Sequence, residues 1–359
     1  MPAACTESHL PAARGSAAHG LAALLLLLLL GCLASPAARA LSEDVILFPY
    51  FKDPGTQGIF LMASEDGLRF EHLNGGAPIL TVPGGVTRDP SIVRGPDDLF
   101  HMVWTAAPKS FGYASSPDLV TWSVPRLIPV FGPDDPIVNT WAPELFYDTA
   151  AQEYLVVWAS TDRERFPVGS NEDRLYEHRL YATTTRDFAS FTETRLFYDP
   201  GFNVIDGMIA HDVAGDRFVM AIKDERARPV PQKNIKLTFS DSAQGPYGPP
   251  SDSVTGGGLV VAEWAEGPTL LPIDDGWRLY FDSYTDFDSV YHAYESPDLE
   301  TWIDVTDQLV FPAIDGLLQH GTVFRSERRN VGWLVPEPAT GLMLAAGIVA
   351  LAARRSSHR

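Results

Sequence analysis

The sequence predicts an all-β fold, a five-bladed propeller whose ring closes by pairing its last strand with the N-terminal blade. Three observations carry this. First, a pattern of small hydroxyl, any residue, Asp and a later aromatic recurs as Ser64-Glu65-Asp66 to Phe70, Ser116-Pro117-Asp118 to Trp122, Thr185-Arg186-Asp187 to Phe191 and Ser296-Pro297-Asp298 to Trp302. Ser240-Asp241-Ser242 to Tyr247 is a degenerate fifth copy. The copies stand roughly 50 to 70 residues apart, the length of a four-stranded blade with its loops. Second, the runs between copies are short and rich in aromatic and β-branched residues, and none between residues 41 and 332 carries a helical period. Third, the strand arithmetic closes on itself: Val45 to Leu73 offers about three strands without an opening strand, and only one strand follows His320.

Taken in order, each unit opens on an apolar strand entered through a polar residue. These openings are Asp89 in Arg88-Asp89-Pro90-Ser91-Ile92-Val93, Glu144 in Trp141-Ala142-Pro143-Glu144-Leu145-Phe146 and Asp206 in Val204-Ile205-Asp206-Gly207-Met208-Ile209. Glu266 in Ala265-Glu266-Gly267-Pro268-Thr269-Leu270 and His320 in His320-Gly321-Thr322-Val323-Phe324 complete the set. Second strands follow at Leu99–Trp104, Tyr154–Trp158, Arg217–Ile222 and Trp277–Phe281, two of them after the turn signals Pro96-Asp97-Asp98 and Asp274-Asp275-Gly276. Pairing of the strand near Thr322–Phe324 with the blade begun at Val45 leaves no free sheet edge.

The two ends of the chain read as addresses rather than fold. Leu21–Leu30 is an apolar run after Arg14 and before Ala38-Arg39-Ala40, the pattern of a secretory signal peptide spanning residues 1–40. A retained membrane helix is the alternative, and the run is shorter than the ~20 residues a span needs. Cys32 could mark a lipoprotein cleavage site, but Leu30 fits that motif poorly. Both cysteines, Cys5 and Cys32, fall in this leader, so the body has no disulfide and no thiolate chemistry. Residues 333–359 hold Val335-Pro336-Glu337-Pro338, an apolar stretch Gly341–Ala353 and Arg354-Arg355. The tail resembles a PEP-CTERM sorting signal of Gram-negative bacteria, which implies export to the cell envelope, surface or medium and an exosortase-type partner. An ordinary tail anchor is the alternative. Membrane contact is then expected only through the leader and the tail.

The formal charge of −19 excludes nucleic acid and anionic membrane surfaces as partners and leaves a neutral glycan open. At equivalent places in a ring of blades, Asp89, Asp206 and Glu266 would meet at one end of the axis, as acid/base cleavage of a sugar bond requires. Each has a plainer reading: Asp89 as a turn residue before Pro90, and Asp206-Gly207 as a bend at a strand entry. Glu266 is harder to place without a role, since an acid facing a closed axis costs free energy unless partnered.

The order and spacing of Arg88-Asp89-Pro90-Ser91-Ile92, Trp141-Ala142-Pro143-Glu144, Ile205-Asp206-Gly207, Glu266-Gly267-Pro268-Thr269 and His320-Gly321-Thr322 resemble glycoside hydrolase family 43. That family comprises five-bladed propeller enzymes such as arabinofuranosidases, xylosidases and arabinanases, and the resemblance spans most of Val45 to Arg325. It implies an inverting hydrolase of arabinofuranosyl or xylosyl linkages in polysaccharides or oligosaccharides. Asp89 would be the general base, Glu266 the general acid, and Asp206 the residue that orients Glu266 and keeps it protonated. Inversion implies a base-to-acid separation of roughly 6.5–9.5 Å. Arg88, Trp141, Glu144 and His320 are expected to contact substrate, with Trp141 either a sugar platform or a core residue. No cofactor is required; His320 could bind a structural ion such as calcium near the axis, or be a hydrogen-bonded structural residue. Lys223-Asp224-Glu225 could contact substrate but reads more simply as a solvated charged edge, and the polar stretch Asp162–Glu177 as a loop walling the pocket.

The chain departs from the commonest family layout by placing Val45–Leu73 ahead of the blade that carries the base. Two other functions compete. An invertase-like fructosidase shares Arg88-Asp89-Pro90, but its Asn-Asp-Pro and Glu-Cys motifs do not occur here. A non-catalytic glycan-binding propeller of the cell surface or an exopolysaccharide matrix suits the tail equally, yet would have no need of three carboxylates at the axis.

Overall fold

The computed structural model describes residues 43–167, 176–228, 231–254, 264–285 and 288–334. The leader through residue 40 and nearly all of the tail lie outside these residues, as do residues 168–175 of the loop expected to wall the pocket. The described strands form five antiparallel sheets, one per blade. Blade I begins with β1 (Asp44–Lys52), β2 (Ile59–Ser64) and β3 (Glu71–His72). Blade II is β4 (Arg88–Arg94), β5 (Phe100–Ala107), β6 (Ser110–Ser116) and β7 (Arg126–Pro129). Blade III is β8 (Trp141–Asp148), β9 (Glu153–Thr161), β10 (His178–Thr185) and β11 (Arg195–Tyr198). Blade IV has β12 (Val204–Asp212), β13 (Arg217–Asp224) and β14 (Asn234–Ser240). Blade V is β15 (Ala265–Ile273), β16 (Gly276–Thr285), β17 (Asp288–Ser296) and β18 (Ile303–Asp304). The chain then returns as β19 (Leu318–Gln319) and β20 (Phe324–Glu327), both antiparallel to β1. Leu47 faces Phe324 and Asp44 faces Glu327, so the ring is closed as expected. Among the described residues the helical elements are single 3₁₀ turns.

Among the described residues blade IV has three strands, for a reason written in its sequence. After β14 the chain runs alongside, donating from Gly248 to Phe239 and from Ser251 to Leu237. Pro246, Pro249 and Pro250 supply no N–H in between, so a ladder cannot form.

The recurring hydroxyl-x-Asp pattern builds the same turn four times, between the third and fourth strands of blades I, II, III and V. In blade II, Ser116 Oγ accepts from the Leu119 N–H at 2.8 Å, and Asp118 Oδ1 accepts from Val120 and Thr121 at 2.9 and 2.7 Å. Asp66, Asp187 and Asp298 do the same at their turns. Each turn after the first forces an apolar residue into left-handed backbone, Leu119 at φ 63°, Phe188 at 53° and Leu299 at 66°. Burial offsets that strain, since all three plug gaps between blades.

The core is divided into five apolar clusters, each between successive blades. Trp158, fully buried between blades II and III, is representative: truncation to Ala would cost about 3–5 kcal/mol.

The innermost strands β4, β8, β12 and β15 share a bulge at their entry. Register slips between Arg88 and Ser91, Trp141 and Glu144, Ile205 and Met208, and Glu266 and Thr269, each with two residues facing one on the neighbouring strand. One residue inside each bulge is left-handed: Asp89 at φ 51°, Ala142 at 45°, Asp206 at 55° and Gly267 at 59°. This corrects the expectation that the three carboxylates occupy equivalent places. Asp89 and Asp206 do; Glu266 stands one residue earlier, level with Arg88 and Trp141, and Glu144 two residues later, level with Thr269. A bulge re-aims side chains, so all can still turn toward the axis.

Candidate active site

The bulges and the β19–β20 segment frame a cavity of about 400 Å³. Six of the seven residues singled out from sequence line it: Arg88, Asp89, Trp141, Asp206, Glu266 and His320. Glu144 does not. It is buried behind His320, its Oε1 at 3.7 Å from Nε2, and the Thr322 hydroxyl sits 2.7 and 2.8 Å from its two oxygens.

Asp89 accepts a hydrogen bond from the Thr105 hydroxyl at 2.7 Å, and its Oδ1 stands 3.7 Å from His320 Nδ1. The same hydroxyl accepts from the Ala142 N–H, which ties blade II to blade III at the cavity wall. Arg88 lies over the Phe51 ring and lines the cavity beside Asp89.

His320 is held at the centre of an acidic ring. Burial opposes its charged form, but contact with Glu144 and the fields of Asp206 and Asp89 outweigh it, lifting its pKa to about 10. Both ring nitrogens thus face carboxylates as N–H groups. Among the described residues, no group of three or more His, Cys, Asp or Glu is arranged to hold a metal ion. The segment reaches the axis because Gly321 has no side chain: a Cβ there would lie 1.7 Å from the Pro49 carbonyl oxygen.

Asp206 Oδ2 accepts from the Gly267 N–H at 3.1 Å, fixing the bulge that presents Glu266. Burial raises its pKa to about 6, with Glu266 adding to the shift and the cations His320 and Lys223 opposing it. Trp141 packs against Tyr176 and His178, ring centroids 4.8 and 5.0 Å away. Burial lowers the His178 pKa to about 4, so at neutral pH this ring is neutral beneath the indole.

Two residues of the site were missed. Lys223, read as part of a solvated edge, is 1% exposed. Its Nζ donates to Glu266 Oε2 at 2.9 Å and to the Tyr284 hydroxyl at 3.1 Å, and pairs with Glu225 at 2.9 Å. Burial disfavours its charge, yet Glu266 and Glu225 hold its pKa well above the usual lysine range. Glu225 also pairs with Lys233, and Asp224 is buried against Arg226. Asp282, fully buried on β16, is the register partner of Glu266. In both cases a charged residue ends an apolar run on a central strand, Met220-Ala221-Ile222-Lys223 and Leu279-Tyr280-Phe281-Asp282, which was the available signal.

A closed propeller with carboxylates, a lysine and a tryptophan around an axial cavity suits the hydrolysis of carbohydrates. Residues 44–330 match the family described as "Probable glycosyl hydrolase domain", a group related to family 43. The chain belongs to that family and is a glycoside hydrolase of the family 43-like type. A comparison with curated proteins gave no match. Among solved structures, an α-L-arabinofuranosidase from Lactobacillus brevis aligns with TM-score 0.50 and 16% identity, over 65% of this chain and 74% of that one. An endo-1,4-β-xylanase from Bacteroides thetaiotaomicron aligns with TM-score 0.51 and 10% identity, over 73% and 90%. At these identities the likeness speaks to the fold alone.

Proposed function

We propose that the protein is an exported, configuration-inverting glycoside hydrolase that cleaves arabinofuranosyl or xylosyl linkages in polysaccharides or oligosaccharides. The observation that carries this is the meeting of Asp89 and Glu266 in one cavity from blades II and V, with Asp206 beneath the second. In this reading Asp89, supplied with one hydroxyl donor, takes a proton from a water that attacks the anomeric carbon. Glu266 gives its proton to the glycosidic oxygen as that bond breaks. Lys223 donates to Oε2 and holds the side chain in place. Asp206 holds the turn and adds a negative field that favours the protonated acid.

The remaining residues take supporting roles. Trp141 is the platform for a sugar ring and Arg88 a substrate contact, whereas Glu144 acts through His320 rather than on the substrate. His320 serves as a fixed cation between Asp89 and Glu144, and no metal is needed there, which its two engaged nitrogens support. The pentose assignment draws on the neighbours described as an arabinofuranosidase and a xylanase, and a cavity of about 400 Å³ accommodates such a ring. The leader and the PEP-CTERM-like tail support export to the envelope, surface or medium of a Gram-negative bacterium through exosortase-type machinery.

The test is hydrolysis of aryl α-L-arabinofuranosides, aryl β-D-xylosides, arabinan and xylan by residues 41–334, with the product anomer followed by proton NMR. Release of the inverted anomer, lost in Glu266→Gln and Asp89→Asn, is expected. A retained anomer, or activity that survives both substitutions, would overturn the mechanism.

A further inference from the structure

The scheme above leaves Asp282 unused, although it is the most deeply enclosed carboxyl of the site. It lies on the central strand of blade V, facing Glu266 across the β15 ladder and Tyr291 across the β17 ladder. It is fully buried, and neither of its oxygens has a hydrogen-bond partner among the described residues. The backbone closes on it as well: a Cβ on Gly267 would stand 2.9 Å from Asp282 Oδ1 and 2.7 Å from His320 Cγ.

The charged and titratable groups around it come from five elements. They are Glu266 on β15, Asp206 on β12, Lys223 on β13, His320 between β19 and β20, and Tyr291 on β17. An ionised carboxylate without a single donor is strongly disfavoured in such a place, and the neighbouring anions add to that. Burial and Glu266 together push this carboxyl well above the usual aspartate range, against the pull of His320 and Lys223. An anion here would also compete for those two cations, which hold Glu266 and Asp89.

We infer that Asp282 is a positioning residue that works as a neutral carboxylic acid, leaving Lys223 to Glu266 and His320 to Asp89, and that its ionisation contributes a second proton to the loss of turnover at high pH. The inference rests on the reading of Glu266 as the acid. Asp282 itself makes and breaks no bond of the substrate.

The direct test is infrared spectroscopy of the protein carrying ¹³C-labelled aspartate, compared with Asp282→Asn at pH 7. A protonated-carboxyl band that shifts on labelling and vanishes in the variant is expected; only carboxylate bands would overturn the inference. In parallel, Asp282→Asn, which copies the size and charge of the neutral acid, should retain about tenfold more kcat/KM at neutral pH than Asp282→Ala, which leaves the place empty. Its alkaline limb should fall with one proton where the parent falls with two. An alkaline limb displaced about one unit or more to lower pH would mean that an ionised Asp282 had been holding the proton on Glu266, and would also overturn it. The infrared result does not need activity. An inactive parent with a protonated Asp282 would sink the hydrolytic reading alone, and an active parent with an ionised one would sink this inference alone.

Discussion

Blade II enters the cavity through Arg88-Asp89-Pro90 and blade V through Glu266-Gly267-Pro268, on the same bulge in the same register. In blade II the left-handed residue is itself the acidic one, and its shorter side chain leaves Asp89 against the Thr105 hydroxyl. In blade V that slot is a glycine, the acid stands one residue earlier on a longer side chain, and its partners are a lysine and two buried aspartates. One backbone device thus presents two carboxylates in unlike surroundings. In the proposed mechanism, what packs behind each bulge is what separates a proton acceptor from a proton donor.

The largest effects should come from breaking either side directly. Glu266→Gln and Asp89→Asn are each expected to lower kcat by about 10²–10⁴ on glycosides of ordinary alcohols. The two should part on substrates with a good leaving group: dinitrophenyl glycosides need no acid and should restore Glu266→Gln by about 10²-fold or more, while Asp89→Asn stays inactive. Equal rescue of both would erase the distinction between the blades.

Removing the partners sharpens the contrast. Lys223→Met is expected to cost about 10- to 100-fold in kcat on alkyl glycosides and far less on dinitrophenyl glycosides, because the acid loses the group that holds it. Thr105→Val should cost about 3- to 10-fold on both kinds of substrate, because the base loses its hydroxyl donor. Losses that respond alike to the leaving group in both variants would refute the division of labour.

His320 stands between the two carboxylate systems and ties activity to stability. Its folded-state pKa of about 10 exceeds the free value of 6.5, so the folded state binds the proton more tightly. The stabilisation is complete below the free value and is lost as pH rises through about 10. The thermal midpoint of the parent should fall between about pH 7 and 10, and that of His320→Gln should fall less over the same window. The smallest effect belongs to the turns shared by both blades. Ser116→Ala removes the acceptor for the Leu119 N–H and should destabilise by about 1 kcal/mol in denaturant unfolding, without changing the pH profile.

These turns were also the most legible part of the sequence. A hydroxyl and an aspartate two residues apart are demanded by the backbone donors they satisfy, so the pattern survives in every complete blade. The closure was legible from counting strands. The bulge was not, because its two-against-one register lies at the strand entry, ahead of the apolar run whose alternation can be read; hence Asp89, Asp206 and Glu266 were given equivalent places. Lys223 and Asp282 were hidden for the opposite reason. A charge at the end of an apolar run looks like a strand reaching solvent, and only the neighbouring blades make that end an interior.

The pairing of β1 with β20 joins residues near opposite ends of the described body, and His320 lies in the returning segment. A nascent chain therefore has four blades in hand but no working pocket until its last strand has been made and docked. Such a contact spans almost the greatest sequence separation available, so it forms late and slowly. Hydrolytic competence is thus a signature of a finished, closed ring: a chain cut short by twenty residues from Glu327 would lose the clasp and the axial cation together.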